Sequence, residues 1–324
     1  MSADKATAET DAAQEAERDA SPFAFVRGVV ESVERVSPNF VRIAFAGSEL
    51  DGFGSPGPVY DQRIKLIFPA PGRALPDLAA AGTGWWDLWL SLPEDERGSI
   101  RTYSIRELRI EEAGTRLVVD FVLHLAPGLT GPASRWASEA RPGDELLVLG
   151  PRRGRVGGGG IEYAPGDASA VLLAGDETAA PAIARILEDA DPGLRGIAFI
   201  EVPEAADALP IAAPAGVSVR WLAREGRRPG DALIPAVLEH LGAAAEVEIR
   251  DVETEDLLWE TPVYSGLGEE LSAAGERHAD RYYWIAGESG VVTTLRRHLV
   301  RDHGIDRAQV AFMGYWRIGV AMRG

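Results

Sequence analysis

The chain has 324 residues, 46% hydrophobic and 26% charged, with a formal net charge of −17 and no cysteine. These values fit a soluble two-domain globular protein and exclude disulfides, catalytic thiols and cysteine-ligated iron–sulfur clusters. They also argue against nucleic acid or an anionic membrane as partner, since both require a basic surface. No apolar run reaches the roughly 18 residues of a membrane span, and the acidic N-terminus lacks the order of a secretory signal, so no membrane insertion and a cytoplasmic location are expected. The five histidines show no zinc-ligand spacing. No metal site of the protein's own is therefore expected, and electron transfer would need an organic cofactor.

Residues 1–20, rich in Ala, Glu and Asp without apolar periodicity, predict a mobile acidic tail. From Phe23 the apolar residues alternate. Residues 23–36 and 40–45 read as antiparallel strands joined through Ser37-Pro38-Asn39, and 63–68, 104–106, 116–124 and 145–149 continue the series. Strands with Gly/Pro turns and no intervening helices predict a small closed barrel over residues 21–150. Residues 79–98 insert Trp85, Trp86 and Trp89, which packing against the barrel accounts for, with cover for a cofactor as the alternative.

Within the barrel lies Arg101-Thr102-Tyr103-Ser104-Ile105-Arg106. An electron-poor flavin ring calls for an aromatic face, a small hydroxyl near its N5 edge and guanidinium donors for a pyrophosphate, and these six residues hold all three. An amphipathic strand with Arg on its wet side explains the same six residues. On a regular strand Tyr103 and Ser104 point to opposite faces, so both reach one ring only at a strand end or a twist. Farther on, Gly131-Pro132-Ala133-Ser134 reads as the start of a short helix whose free amides suit a phosphate, or as a plain capped helix.

Residues 151–167 are too rich in Gly for a strand or helix and mark a linker; without a following Gly-Lys-Ser/Thr they are not a P-loop. Residues 168–324 then alternate strand and helix. Strands are expected at 170–174, 196–201, 217–223, 282–286 and 309–312, and helices over 183–188, 232–241 and 291–302. Thr178 and Ser289 are the candidate N-caps of the first and last helix. The pattern predicts a parallel sheet covered on both faces, with ligands at the carboxyl ends of its strands. The acidic segment 246–260 fits only as an extra hairpin or excursion. Gly-x-Gly-x-x-Gly is absent, and Gly175 with the helix start at Thr178 is the remaining pyrophosphate signal.

Six segments in order, Arg101–Arg106, Val119–His124, Gly131–Ala137, Ala174–Ile183, Trp284–Ser289 and Gly314–Gly319, closely resemble the siderophore-interacting protein family, flavin-dependent ferric-siderophore reductases of the ferredoxin-reductase-like group. The resemblance implies an antiparallel Greek-key FAD-binding β-barrel followed by a parallel-sheet α/β nicotinamide-nucleotide-binding domain. It implies that Tyr103 stacks on the isoalloxazine, Ser104 approaches N5, and Arg101 and Arg106, with Thr102 between them, hold the FAD backbone. His124 would lie beside the flavin, and Gly131, Ala133 and Ser134 would receive the pyrophosphate. Asp176, Glu177 and Thr178 would line the nicotinamide nucleotide site, and Trp316 and Arg317 would close over the flavin or adenine. His124 and Gly131 are farther apart here than in the family's usual form.

The implied activity is electron transfer from NADH or NADPH through FAD to the iron of a ferric siderophore. A ferredoxin- or flavodoxin-linked reductase and a non-catalytic siderophore carrier are the alternatives. Anionic chelates would need a local basic patch on this acidic chain. Arg63, Lys65, Arg297 and Arg301 are the candidates, the last two sharing a predicted helix face that a solvated surface explains equally.

Overall fold

The structure, a computed structural model, describes residues 21–124, 130–243, 257–262, 264–265 and 280–320. The expected acidic tail and most of the acidic segment 246–260 lie outside the described residues. No helix among the described residues is long and apolar enough to cross a membrane.

Seven strands form the first sheet: β1 (Phe23–Ser37), β2 (Phe40–Ala46), β3 (Arg63–Phe68), β4 (Ser99–Ser104), β5 (Glu107–Glu111), β6 (Gly114–Val122) and β7 (Glu145–Pro151). They are ordered β4-β3-β7-β1-β2-β6-β5, and every pairing is antiparallel. The first half of β1 pairs with β7 and its second half with β2 through two register shifts, which curl the sheet. The inward residues Val26, Ile43, Phe45, Leu66, Phe68, Phe121 and Val148 fill its core. The expected closed barrel is a curled half-barrel. Edge strands β4 and β5 do not pair; the chain bridges the seam, Ile105 N donating to Gln62 O and Arg106 N to Val118 O. The strand expected at 104–106 is therefore a crossing between two strands, because residue 105 must leave one edge and residue 106 join the other.

Helix α1 (Trp85–Ser91) sits on the outer face of this sheet. Trp89 is buried with Ile67, Ile100, Leu147 and Leu149, so the tryptophan insertion covers the barrel's outside. Helix α2 (Pro132–Glu139) places Trp136 on the barrel core, 5.3 Å from the Phe68 ring and near-parallel to Phe45 at 6.3 Å.

The second sheet holds β8 (Ala170–Gly175), β9 (Arg195–Val202), β10 (Gly216–Ala223), β11 (Trp259–Thr261), β12 (Tyr264–Ser265), β13 (Arg281–Glu288) and β14 (Val310–Trp316) in the order β10-β9-β8-β13-β14-β11-β12. Its first five members are parallel, as expected, and β11 and β12 add an antiparallel edge to them. Helix α3 (Ala180–Asp189) covers the face toward the barrel, where Ile183 and Trp284 share a core with the barrel's Phe40 and Val122. Helices α4 (Leu233–His240) and α5 (Ser289–Arg296) cover the other face with Phe199, Ile285 and Phe312. Strand order reverses between β8 and β13, so the crevice at their carboxyl ends is the site such sheets offer a ligand.

Residues 152–169 contain no helix or strand but are tied down. The Asp61 carboxylate accepts the amides of Glu162 and Tyr163 and the Trp284 indole at 2.9 Å, joining barrel, linker and second sheet. Burial pushes its pKa up, and these donors oppose the shift.

Candidate flavin and nucleotide site

Tyr103 and Ser104 lie on opposite faces of β4, at its end. Tyr103 pairs across from Ile64 and turns inward, its ring 4.7 Å from Phe121 and 6.5 Å from Phe68. Ser104 pairs across from Arg63 and faces the second sheet, beside Tyr315 of β14. The Tyr315 hydroxyl is buried next to Ser104 and makes no hydrogen bond of good geometry among the described residues. Burial and then Asp61 raise its pKa, while Arg63 and Ser104 pull it down. Tyr315 falls within the segment Gly314–Gly319 that carries the resemblance, but only Trp316 and Arg317 of that segment were expected at the site.

Arg101 shares the inward face with Tyr103. Its guanidinium is half-buried, donates to the neighbouring Ile100 carbonyl at 2.6 Å, and meets no carboxylate among the described residues. Burial lowers its pKa, the mark of a cation without a counter-ion. Thr102 is exposed on the outer face. Arg106 is placed otherwise: both its terminal nitrogens donate to Glu188 of α3 at 2.7 Å, so it bridges the two halves.

Helix α2 begins with Gly131 in an extended conformation and Pro132 at its first position, with no side-chain cap. Its first backbone bond runs from Arg135 to Gly131, leaving the amides of Ala133 and Ser134 ahead of it. Both residues are buried. The Ser134 hydroxyl is already committed, donating to Val122 O at 3.0 Å, so it can offer a ligand its amide but not a free hydroxyl. His124, at the end of β6, packs 5.8 Å from the Trp316 ring of β14, which brings two predicted residues together across the halves.

At the carboxyl edge of the second sheet, Asp176 is a hub. Its carboxylate accepts the Thr178 amide and hydroxyl, the Glu288 amide at 2.7 Å and the Trp316 indole at 2.8 Å. Burial and then Glu177 raise its pKa, against the bonds from Thr178 and Trp316. Gly287, at φ 139°, makes the approach possible: a Cβ there would lie 2.6 Å from Asp176 Oδ2. Thr178 is not the expected N-cap. Its hydroxyl turns back to Asp176, and Ala179 precedes the helix. Nor is Ser289 the cap of α5; Glu288 takes that position and accepts the Val291 amide. Arg317 follows Trp316, half-buried, where β14 ends.

Glu177 is fully buried and faces away from solvent, its two oxygens bound by Arg224 at 2.5 and 2.7 Å. Burial opposes the charge of Arg224, but Glu177 and Glu201 outweigh it and raise its pKa. Glu177 therefore supports the turn between β8 and α3 from beneath, and only the residues around it can line a nucleotide site. Arg224 was not legible in the sequence, which shows it only as one arginine of many.

The four candidate substrate cations do not converge. Arg63 and Lys65 share the outer face of β3, across from Ser104 and Thr102. Arg63 is engaged, donating to Glu162 at 2.6 Å and lying 4.2 Å over the Trp259 ring. Lys65 is half-buried, and burial, then Arg63, lowers its pKa. Arg297 and Arg301 lie on the π-type turns that continue α5, on the sheet face away from the barrel.

Residues 29–155 match the model of the siderophore-interacting FAD-binding domain, and residues 168–319 match that of the siderophore-interacting protein. The chain belongs to the siderophore-interacting protein family. This siderophore-interacting protein is 29% identical over 284 residues to the ferric vibriobactin reductase of Vibrio cholerae, covering 88% of this chain and 86% of that one. It is 29% identical over 293 residues to the NADPH-dependent ferric-chelate reductase of Escherichia coli, covering 88% and 89%. The crystal structure of a siderophore utilization protein from T. fusca matches it with a TM-score of 0.63 at 28% identity, over 93% of this chain and 95% of that one.

The residues of the FAD-binding barrel fit their cofactor. A half-buried guanidinium that meets no carboxylate among the described residues and a helix start with unspent amides are what a pyrophosphate requires, and Tyr103, Ser104 and the buried Tyr315 hydroxyl would be the groups left for ring and edge contacts. Of the two arginines expected to hold the FAD backbone, Arg106 is already engaged by Glu188 and Arg101 meets no carboxylate among the described residues.

Proposed function

We propose that this siderophore-interacting protein is a ferric-siderophore reductase of the cytoplasm, passing electrons from NADH or NADPH through FAD to chelated Fe(III) and releasing Fe(II). The observation that carries this reading is Arg101 beside Tyr103 on the barrel's seam, a half-buried cation for which the described residues provide no anion. FAD, when bound, supplies the conversion between a two-electron hydride donor and one-electron delivery to iron.

In this reading the chain positions and does no acid–base chemistry of its own. Arg101 and the amides of Ala133 and Ser134 hold the pyrophosphate, Gly131 leaves them accessible, and Tyr103 supports the ring. Ser104 donates a hydrogen bond at the edge facing the second sheet. Asp176 and Thr178 shape the turn that receives the nicotinamide nucleotide, with Glu177 braced beneath it by Arg224. Trp316, fixed by Asp176, and His124 close the same end, beside Arg317. Lys65, with Arg63 behind it, is the cation available to an anionic chelate; Arg297 and Arg301 lie on the wrong face to join them. Fe(II), softer and less charged, leaves a hard oxygen chelator readily. The functional units are the barrel of residues 21–150 and the α/β unit of residues 168–324, joined by 151–167.

Ser104→Ala is the discriminating variant. Flavin reduction by NADPH or NADH should slow by at least tenfold while the FAD dissociation constant changes less than threefold, roughly 0.6 kcal/mol. Equal loss of both contradicts the assigned role. Reduction by a ferredoxin and by neither nicotinamide would replace the donor in this reading.

A further inference from the structure

The strongest unassigned feature is a run of alternating charges between the halves. It begins on the barrel with Arg42, whose guanidinium donates to Asp120 at 2.7 and 2.8 Å. Asp120 also faces Arg106 at 3.7 Å, and Arg106 forks onto Glu188 at 2.7 Å through both terminal nitrogens. Glu188 meets Arg185 at 3.3 Å, and Arg185 bonds Asp189 one turn on. Asp189 then returns to the barrel, accepting the amides of Val59 at 2.6 Å and Tyr60 at 3.0 Å. Tyr60 is one of only two described non-glycine residues at positive φ, 49°, a conformation that surrounding contacts must hold. Three cations and three anions thus run from β2 to the carboxyl end of α3 and back.

We propose that Arg106 is a positioning residue: the central link of this chain, fixing α3 against the seam of the barrel, and not a ligand of the FAD backbone. The proposal rests on the reductase reading for its consequence, since Arg106 lies two residues beyond Ser104, while α3 starts at the turn of Asp176 to Ala179. One helix therefore connects the nucleotide end of the second sheet to the strand end that carries Tyr103 and Ser104. The apolar contact of α3 with Phe40 and Val122 holds the halves together but is non-directional. A bidentate guanidinium–carboxylate fork fixes both distance and angle. Buried ion pairs seldom add stability over apolar replacements, and fixed geometry is the use left for one placed here.

The test begins on the cofactor-free chain. Arg106→Gln, Glu188→Gln and the double variant should lower the denaturation midpoint non-additively, the double being no worse than either single variant. FAD affinity, measured by fluorescence titration, should stay within threefold in both single variants, whereas flavin reduction by NADPH should slow at least tenfold in both. The charge swap of Arg106→Glu with Glu188→Arg should recover part of that rate. The proposal is overturned if Arg106→Gln weakens FAD binding thirtyfold or more while Glu188→Gln does not, if the two stability effects simply add, or if neither variant slows reduction. Should wild-type protein accept no electrons from nicotinamide, the reductase reading fails, and the stability cycle and FAD titration still decide the role of Arg106.

Discussion

Replacing Arg224 by Met leaves a fully buried carboxylate without its counter-ion, and the structure says which one. Arg224 contacts both Glu177 and Glu201, with side-chain exposures of 9% for the arginine and 0% for each acid. Glu201 keeps three backbone donors at the start of α4, the amides of Gly230, Ala232 and Leu233 at 2.8 to 3.0 Å, so its charge stays satisfied. Glu177 has no such reserve. One stranded buried charge costs about 3–5 kcal/mol, which for a unit of about 150 residues lowers the melting temperature by roughly 6–20 °C. Adding Glu177→Met removes the stranded charge, and the double variant should return to within about 1 kcal/mol of wild type, since apolar replacement of a buried pair is often neutral. Urea denaturation of the single and double variants measures both. A loss below about 1 kcal/mol in Arg224→Met, or a double variant no better than the single, would refute the claim that the pair is a closed unit beneath the nucleotide turn.

Two further outcomes follow from Arg101 and Lys65, the half-buried cations on β4 and β3 that meet no carboxylate among the described residues. Arg101→Gln should weaken FAD binding by about 10- to 150-fold, the equivalent of a charged hydrogen bond worth roughly 1.5–3 kcal/mol. It should not destabilise the cofactor-free protein, because burial already disfavours that charge; unchanged FAD affinity by fluorescence titration would count against the site. Lys65 has its folded pKa lowered by burial and by Arg63, so its charge costs stability below that value, and the cost disappears as pH rises past the unfolded value of about 10.4. Lys65→Met should therefore raise the melting temperature of the cofactor-free protein at neutral pH, with the gain shrinking toward pH 10.4. A loss at neutral pH would contradict it.

Strand positions were legible because alternation survives wherever one face of a sheet is buried. Residues 63–68 and 217–223 fall on β3 and β10 almost residue for residue. What alternation cannot show is where the chain leaves a sheet, and so the seam at Ile105 read as a continuous strand while β5 went unnoticed. Helix caps misled for a related reason. Thr178 and Ser289 have the right chemistry, but Asp176 captures one hydroxyl and Glu288 reaches the amides first at the other helix. Arg101 and Tyr103 share a face because they stand two apart on one strand, which the sequence shows, whereas the meeting of His124 with Trp316 joins two distant segments and is a fact of tertiary structure. Motif resemblance could not separate Arg101 from Arg106, because their different partners, an adjacent carbonyl and a glutamate 82 residues away, are facts of tertiary structure. Long-range ion pairs leave no trace in a sequence with 33 basic and 50 acidic residues.

The central claim is that this chain moves electrons from a nicotinamide to chelated iron through a flavin held at the seam. Anaerobic mixing of the FAD-loaded protein with NADPH or NADH, followed by a ferric chelate, tests it in one spectrum. The yellow band should bleach with the nicotinamide and return with the chelate as Fe(II) appears, two irons for each nicotinamide oxidised. A protein that binds FAD yet stays yellow with both donors, or bleaches and does not recover with any ferric chelate, would contradict the account.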